Sequence, residues 1–211
     1  MQFAILQVPL ANIPAYAICI QHMTPPVAKK SAALSRANSR QWALKPQDLA
    51  VALKLVTLKG NWLPYAALGN AMHLSQFEAH AAVQRLAAAG LMVGIEGPPR
   101  VVAAALRSFV IFGARYAYPP VRGGLTIGFP TAQALSAVRK LISASSEQVT
   151  VWPHPEGKVR GQSLLPLYES LPLAAADAPA FHELLALFDL LRIGQARERD
   201  IAQKLLEARL S

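Results

Sequence analysis

The chain has 211 residues, 53% of them hydrophobic, a formal net charge of +9 and one cysteine, Cys19. That length supports a sizeable apolar core in one large domain or two small ones. A single cysteine excludes both an intramolecular disulfide framework and a cysteine-rich zinc site, in keeping with a reducing cytoplasm.

Residues 1–23 are apolar enough to raise secretion or membrane anchoring, and both fit poorly. No Lys or Arg precedes Lys29, so the positive start of a signal peptide is missing; Pro9 and Pro14 interrupt a run already short for a membrane span. Two readings stay open for residues 1–22: an extended arm that packs on the body or on a partner subunit, or upstream sequence ahead of a true start at Met23. Residues 24–42 carry Lys29, Lys30, Arg36 and Arg40 with no acid. They read as a basic arm able to track phosphates or enter a minor groove, or as a solvated linker.

From residue 43 the pattern becomes helical. Pro46 opens a helix that runs to Lys59, with Leu49, Leu53 and Val56 on one face and Gly60 at its end. Pro64 opens a shorter helix reaching His73. A turn of a residue or two follows, and then Ser75 and Glu78 form a capping box: the hydroxyl takes the Glu78 amide proton and the carboxylate reaches back to the Ser75 amide. In the helix so started, Ala79, Val83 and Leu86 mark one buried face, Gln76, His80, Gln84 and Arg85 fall largely on the other, and Gly90 supplies the stop. A short helix, a tight turn and a capped second helix predict a helix-turn-helix, whose second helix can enter the major groove of DNA.

Beyond Gly90, two short apolar runs flank Glu96-Gly97-Pro98-Pro99, a β-hairpin signal that places Arg100 near the tip or on the returning strand. Behind a helix-turn-helix such a hairpin is a wing. At these residues the chain resembles the MarR-like winged helix-turn-helix regulators of bacteria. The likeness rests on residues 44–49 opening the first helix, on Leu74-Ser75 with Glu78-Ala79-His80, and on Val83-Gln84-Arg85-Leu86 running into Ala89-Gly90-Leu91. It covers a quarter to a third of the chain. The resemblance implies that Ser75, Gln76, His80 and Gln84 face base edges and that Arg85 or Arg100 meets phosphate. It also implies a homodimer on double-stranded DNA.

Val102 to Tyr118 predicts an apolar helix, with Leu106, Phe109, Val110 and Gly113 as a packing stripe for core or for a second copy. Tyr118 to Thr131 is dense in glycine and proline and reads as a loop with little regular structure. Its glycines lack the Lys-Ser/Thr of a nucleotide-binding loop. Thr131 to Ser143 predicts a helix. Val149 to Gln162 predicts two extended runs about a proline-rich turn, a small hairpin in which alternation puts His154, Glu156, Lys158 and Arg160 on one side. That cluster has no metal-ligand spacing and no nucleophile motif, so neither a metal, a cofactor nor catalysis is expected. It reads as an exposed polar turn, with effector or anion binding as the alternative. Leu164 to Leu171 predicts a helix ended by Pro172; Asp177 predicts the cap of a helix through Leu191, broken at Gly194; Ala196 to Leu210 predicts the last.

The expected class is mainly α with a small β-wing: an arm (1–42), a winged helix-turn-helix with its following helix (43–118), and a mostly helical region (119–211) for dimerisation or for sensing a small-molecule or protein effector. Residues 1–110 hold ten Lys/Arg against three Asp/Glu, a charge of +7; residues 111–211 hold eleven against nine, a charge of +2. The excess thus sits with the half expected to meet phosphates. A DNA-binding transcriptional regulator, a repressor acting as a homodimer in the cytoplasm, is the function expected. The alternative from another class is an antitoxin-like or defence-associated module whose winged helix docks a protein.

Overall fold

Pro46 and Asp48 show how the first element begins. Pro46 needs no amide partner in the first turn, and the Asp48 carboxylate accepts the Lys45 amide at 2.8 Å, closing helix α1 (Pro46–Thr57) at its start. In the computed structural model, which describes residues 43–94, 98–142 and 149–210, Trp42–Ser211 make one compact unit. It is mainly helical with little sheet. Among the described residues no helix is long and apolar enough to cross a membrane.

Helices α2 (Tyr65–Met72) and α3 (Gln76–Ala88) follow. The turn between them is a Schellman closure: Leu74 N–H donates to Gly69 O at 2.9 Å and His73 N–H to Asn70 O at 3.2 Å. His73 takes the left-handed conformation there, with φ of +51°. Gly69 leaves room for the crossing, since a Cβ on it would lie 2.8 Å from Leu74 O. The same closure ends α3, where Leu91 N–H donates to Leu86 O at 2.9 Å and Gly90 N–H to Ala87 O at 3.0 Å. Strands β1 (Met92–Val93) and β2 (Arg100–Val101) then pair antiparallel, Met92 opposite Val101 and Val93 opposite Arg100. The predicted turn at Glu96-Gly97 lies outside the described residues.

The predicted apolar helix after the hairpin is present but not uniform. It comprises α4 (Ala103–Ser108), a π-helical stretch Phe109–Ala114, and α5 (Arg115–Ala117). Leu106 and Val110 are fully buried, while Phe109 and Gly113 are half-buried.

The segment expected to be an irregular loop is instead a ten-residue strand, β3 (Arg122–Thr131). Gly128 serves close approach and not looseness: a Cβ on it would sit 1.9 Å from Trp152 O, a distance no side chain tolerates. A 3₁₀ turn, Ala132–Ala134, and helix α6 (Ser136–Ile142) follow where one helix was expected. Strands β4 (Thr150–Pro153) and β5 (Val159–Leu164) do not form a hairpin with each other. Both run antiparallel to β3, β4 on residues 128–131 and β5 on residues 122–128, so they lie parallel where they touch.

Residues 164–170 also depart from expectation. Leu164 ends β5, and Pro172 stands in the first turn of α7 (Leu171–Ala176), where a proline is tolerated, so it opens a helix and does not end one. The cap of α8 (Pro179–Ile193) is Ala178, with Asp177 at the end of α7. Helix α9 (Ala196–Arg209) closes the chain as expected.

One core runs through both sides of residue 118. Helix α1 packs against α3 and also against α8, which explains why Ala50, Val51, Ala52 and Leu55 are buried along with the predicted face of Leu49 and Leu53. Across the second contact the Lys54 ammonium lies 5.2 Å from the centre of the Phe181 ring, and partial burial lowers its pKa. The small sheet is tied to α8 by Asp189. One carboxylate oxygen accepts from Thr131 Oγ1 and from Trp152 Nε1, each at 2.7 Å, and the other accepts from Arg192.

Candidate nucleic-acid interface

The N-terminus of α3 is fixed before anything else is displayed. Ser75 Oγ accepts the Glu78 amide at 3.2 Å and donates to Glu78 Oε2 at 2.8 Å, while the same oxygen accepts the Ser75 amide at 2.9 Å. These bonds hold the Glu78 carboxyl below its ordinary pKa, the backbone bond contributing most. Ser75 was expected to face base edges. Its hydroxyl proton is committed to the cap, so its role is to start the helix in register.

Ala79, Val83 and Leu86 are buried as the spacing predicts, and the opposite side of α3 is open. Gln76, Glu78 and His80 are exposed and Gln84 is half-buried. The His80 imidazole is propped edge-on against the Tyr65 ring at 4.8 Å, and Tyr65 in turn meets Trp62 at 5.3 Å. A row of rings, Tyr65 at the start of α2 and Trp62 in the loop before it, thus steadies His80 while leaving it accessible.

Arg85 is a correction. The spacing places it with the exposed residues and the resemblance gives it a phosphate role, but it is buried, and its Nε and Nη2 donate to the two oxygens of Asp48 at 2.7 and 2.6 Å. The Asp48 carboxylate holds the guanidinium charged, raising its pKa further. The physical reason is that Asp48, at the start of α1, faces α3 with no access to water. A buried carboxylate in that position requires a cation. The exposed side of α3 therefore carries no Lys or Arg.

Arg100 stands exposed on β2, facing solvent beside the exposed Val93 of the paired strand. The four basic residues of the arm, Lys29, Lys30, Arg36 and Arg40, lie outside the described residues.

Phe77 is a residue that the sequence reading passes over. It is 85% exposed, between Gln76 and Glu78 in the first turn of α3, and among the described residues it has no ring partner. The helical wheel could have shown it, because Phe77 falls about 200° from Ala79 at 100° per residue.

The cluster His154, Glu156, Lys158 and Arg160 is not arrayed along one strand face. Residues 154–157 form a turn in which Gly157 N–H donates to His154 O at 3.0 Å and Glu156 N–H to His154 Nδ1 at 3.2 Å. Among the described residues no group of three His, Cys, Asp or Glu side chains is placed to hold a metal. His154 instead lines a cleft of about 570 Å³ with His73, Glu78, Tyr168 and Glu169. Beside it, Tyr168 Oη donates to Met72 O at 2.8 Å and Ser170 Oγ to His73 O at 3.0 Å, fastening the later half of the chain to the turn that orients α3. No family model, curated protein or solved structure matches the chain.

Proposed function

We propose that residues 46–101 form a winged helix-turn-helix of the MarR-like kind and that the protein is a sequence-specific DNA-binding regulator, a repressor acting as a homodimer. The observation that carries the reading is helix α3: capped at a defined residue, packed by one face, and open on the other along Gln76, Phe77, His80 and Gln84. Phosphate contacts fall to Arg100 on the short hairpin and to the basic arm, and base contacts to Gln76 and His80. Dimerisation supplies the two-fold symmetry that a palindromic operator requires. An effector entering the cleft beside His73 and Tyr168 would act on the turn that sets the angle of α3.

The test is selection of binding sites from fragments of the source genome by the full-length protein, followed by gel shift against the enriched duplexes and against random DNA. Enrichment of a short inverted repeat supports the reading. Equal binding to operator and random duplex, or none, overturns it.

A specific observation favours a second reading, in which α3 docks a protein. With Arg85 withdrawn to Asp48, the open side of α3 presents an uncovered phenyl ring and no Lys or Arg. An antitoxin-like or defence-associated partner would then co-purify in stoichiometric amount, and the protein would retain no duplex.

A further inference from the structure

Phe77 is the largest apolar group on the open side of α3, and its setting distinguishes it from an apolar residue scattered on a surface. It is the second residue of the helix, in the turn that in helix-turn-helix proteins reaches base edges. Gln76 and His80, both exposed, stand on either side of it in sequence, and the capping box holds the turn that carries all three.

A phenyl ring brought against the floor of a major groove meets mostly hydrogen-bonding atoms. Guanine offers N7 and O6, adenine N7 and an amino group, cytosine an amino group. Covering any of these with a ring strips their water and returns no hydrogen bond, which is unfavourable. Thymine alone adds an apolar group, its 5-methyl. Building on the DNA-binding reading above, we infer that Phe77 is a specificity-determining residue that selects thymine in each half-site by packing on the 5-methyl group. Gln76 beside it has the donor and acceptor that suit a neighbouring adenine.

The experiment uses full-length protein and the duplex that it enriches from randomised DNA. Each thymine is replaced in turn by deoxyuridine, which keeps every hydrogen-bonding atom and removes only the methyl. One thymine per half-site should weaken binding about fourfold when demethylated, the effect of one methyl at ~0.8 kcal/mol with ~1.4 kcal/mol per tenfold. Phe77→Ala should bind the thymine duplex more weakly and no longer distinguish it from the uridine one, while Phe77→Leu should keep the distinction. Because Phe77 is 85% exposed, both variants retain the core. Enrichment of a site with every thymine insensitive to demethylation overturns the assignment of Phe77 and leaves the DNA-binding reading standing. A Phe77→Ala variant that still prefers the methylated duplex overturns the assignment in the same way. Failure to enrich any duplex overturns that reading and this inference with it.

Discussion

Arg85 on α3 and Asp48 on α1 are joined by two parallel hydrogen bonds, at 2.7 and 2.6 Å, across the packing interface of the two helices. The carboxylate is wholly buried and also accepts the Lys45 amide, so one aspartate both closes the start of α1 and sets the rotation of α3. With Arg85 turned inward, the opposite side of α3 is the side left open.

Breaking that pair by one partner should be expensive. Arg85→Met leaves Asp48 buried without its cation, for an expected loss of ~3–5 kcal/mol, and Asp48→Ala strands the guanidinium with a similar cost. Urea unfolding followed by circular dichroism measures both. The double variant Asp48→Leu with Arg85→Met should recover much of the loss, since two apolar side chains need no partner. A single variant within about 1 kcal/mol of the parent would show that the pair is dispensable.

The cap of α3 predicts a pH effect of fixed sign. Ser75→Ala should cost ~1 kcal/mol, the usual worth of an N-cap side chain. Glu78 has its folded pKa held below the ordinary value of 4.5 by its bonds to Ser75. Its contribution is therefore present above about 4.5 and lost as pH falls through the lower, folded value. Amide protection in the first turn of α3, taken against the intrinsic exchange rate at each pH, should fall over that acid range in the parent, and Glu78→Gln should remove the dependence.

His182 predicts loss of stability at a milder pH. It stacks on Trp152 at 5.1 Å, and its Nε2 lies 2.8 Å from Pro130 O, so the ring donates to that carbonyl. Burial depresses its pKa below 6.5, with the Pro130 bond and the Asp189 charge acting the other way. The unfolded chain therefore takes up a proton before the folded one does. Stability is full above pH ~6.5 and declines as pH drops through the folded value. Urea midpoints measured from mildly alkaline to mildly acid pH should fall across that window, and His182→Gln should flatten the fall.

The proposed interface separates base from phosphate contacts. Gln76→Ala and His80→Ala should each reduce discrimination between operator and random duplex by roughly 1–3 kcal/mol, the worth of one good bidentate pairing with a base edge. Arg100→Ala should instead weaken binding to all sequences and reduce the slope of log affinity against log salt by about one. Titrations at several salt concentrations distinguish the two patterns. An unchanged slope removes Arg100 from the phosphate contacts.

What was legible in the sequence was whatever is decided within one or two turns of chain. Pro46, the Ser75 and Glu78 box, the left-handed stop at Gly90 and the apolar runs about residues 96–99 all act on neighbours a few positions away, so the helices and hairpin of residues 46–101 could be placed in advance. Long-range pairing was not legible. Arg85 reads as exposed until Asp48, 37 positions earlier, is seen to be buried against it. Gly128 reads as a loop residue until Trp152 is found lying across it. Leu164 and Pro172 read as the two ends of a helix until β5 is seen completing a sheet on β3. In each case the deciding quantity is what lies on the other side of a side chain, the cation that a buried carboxylate needs or the space that a missing Cβ leaves. A local pattern carries no record of either, and only the packed chain brings those atoms together.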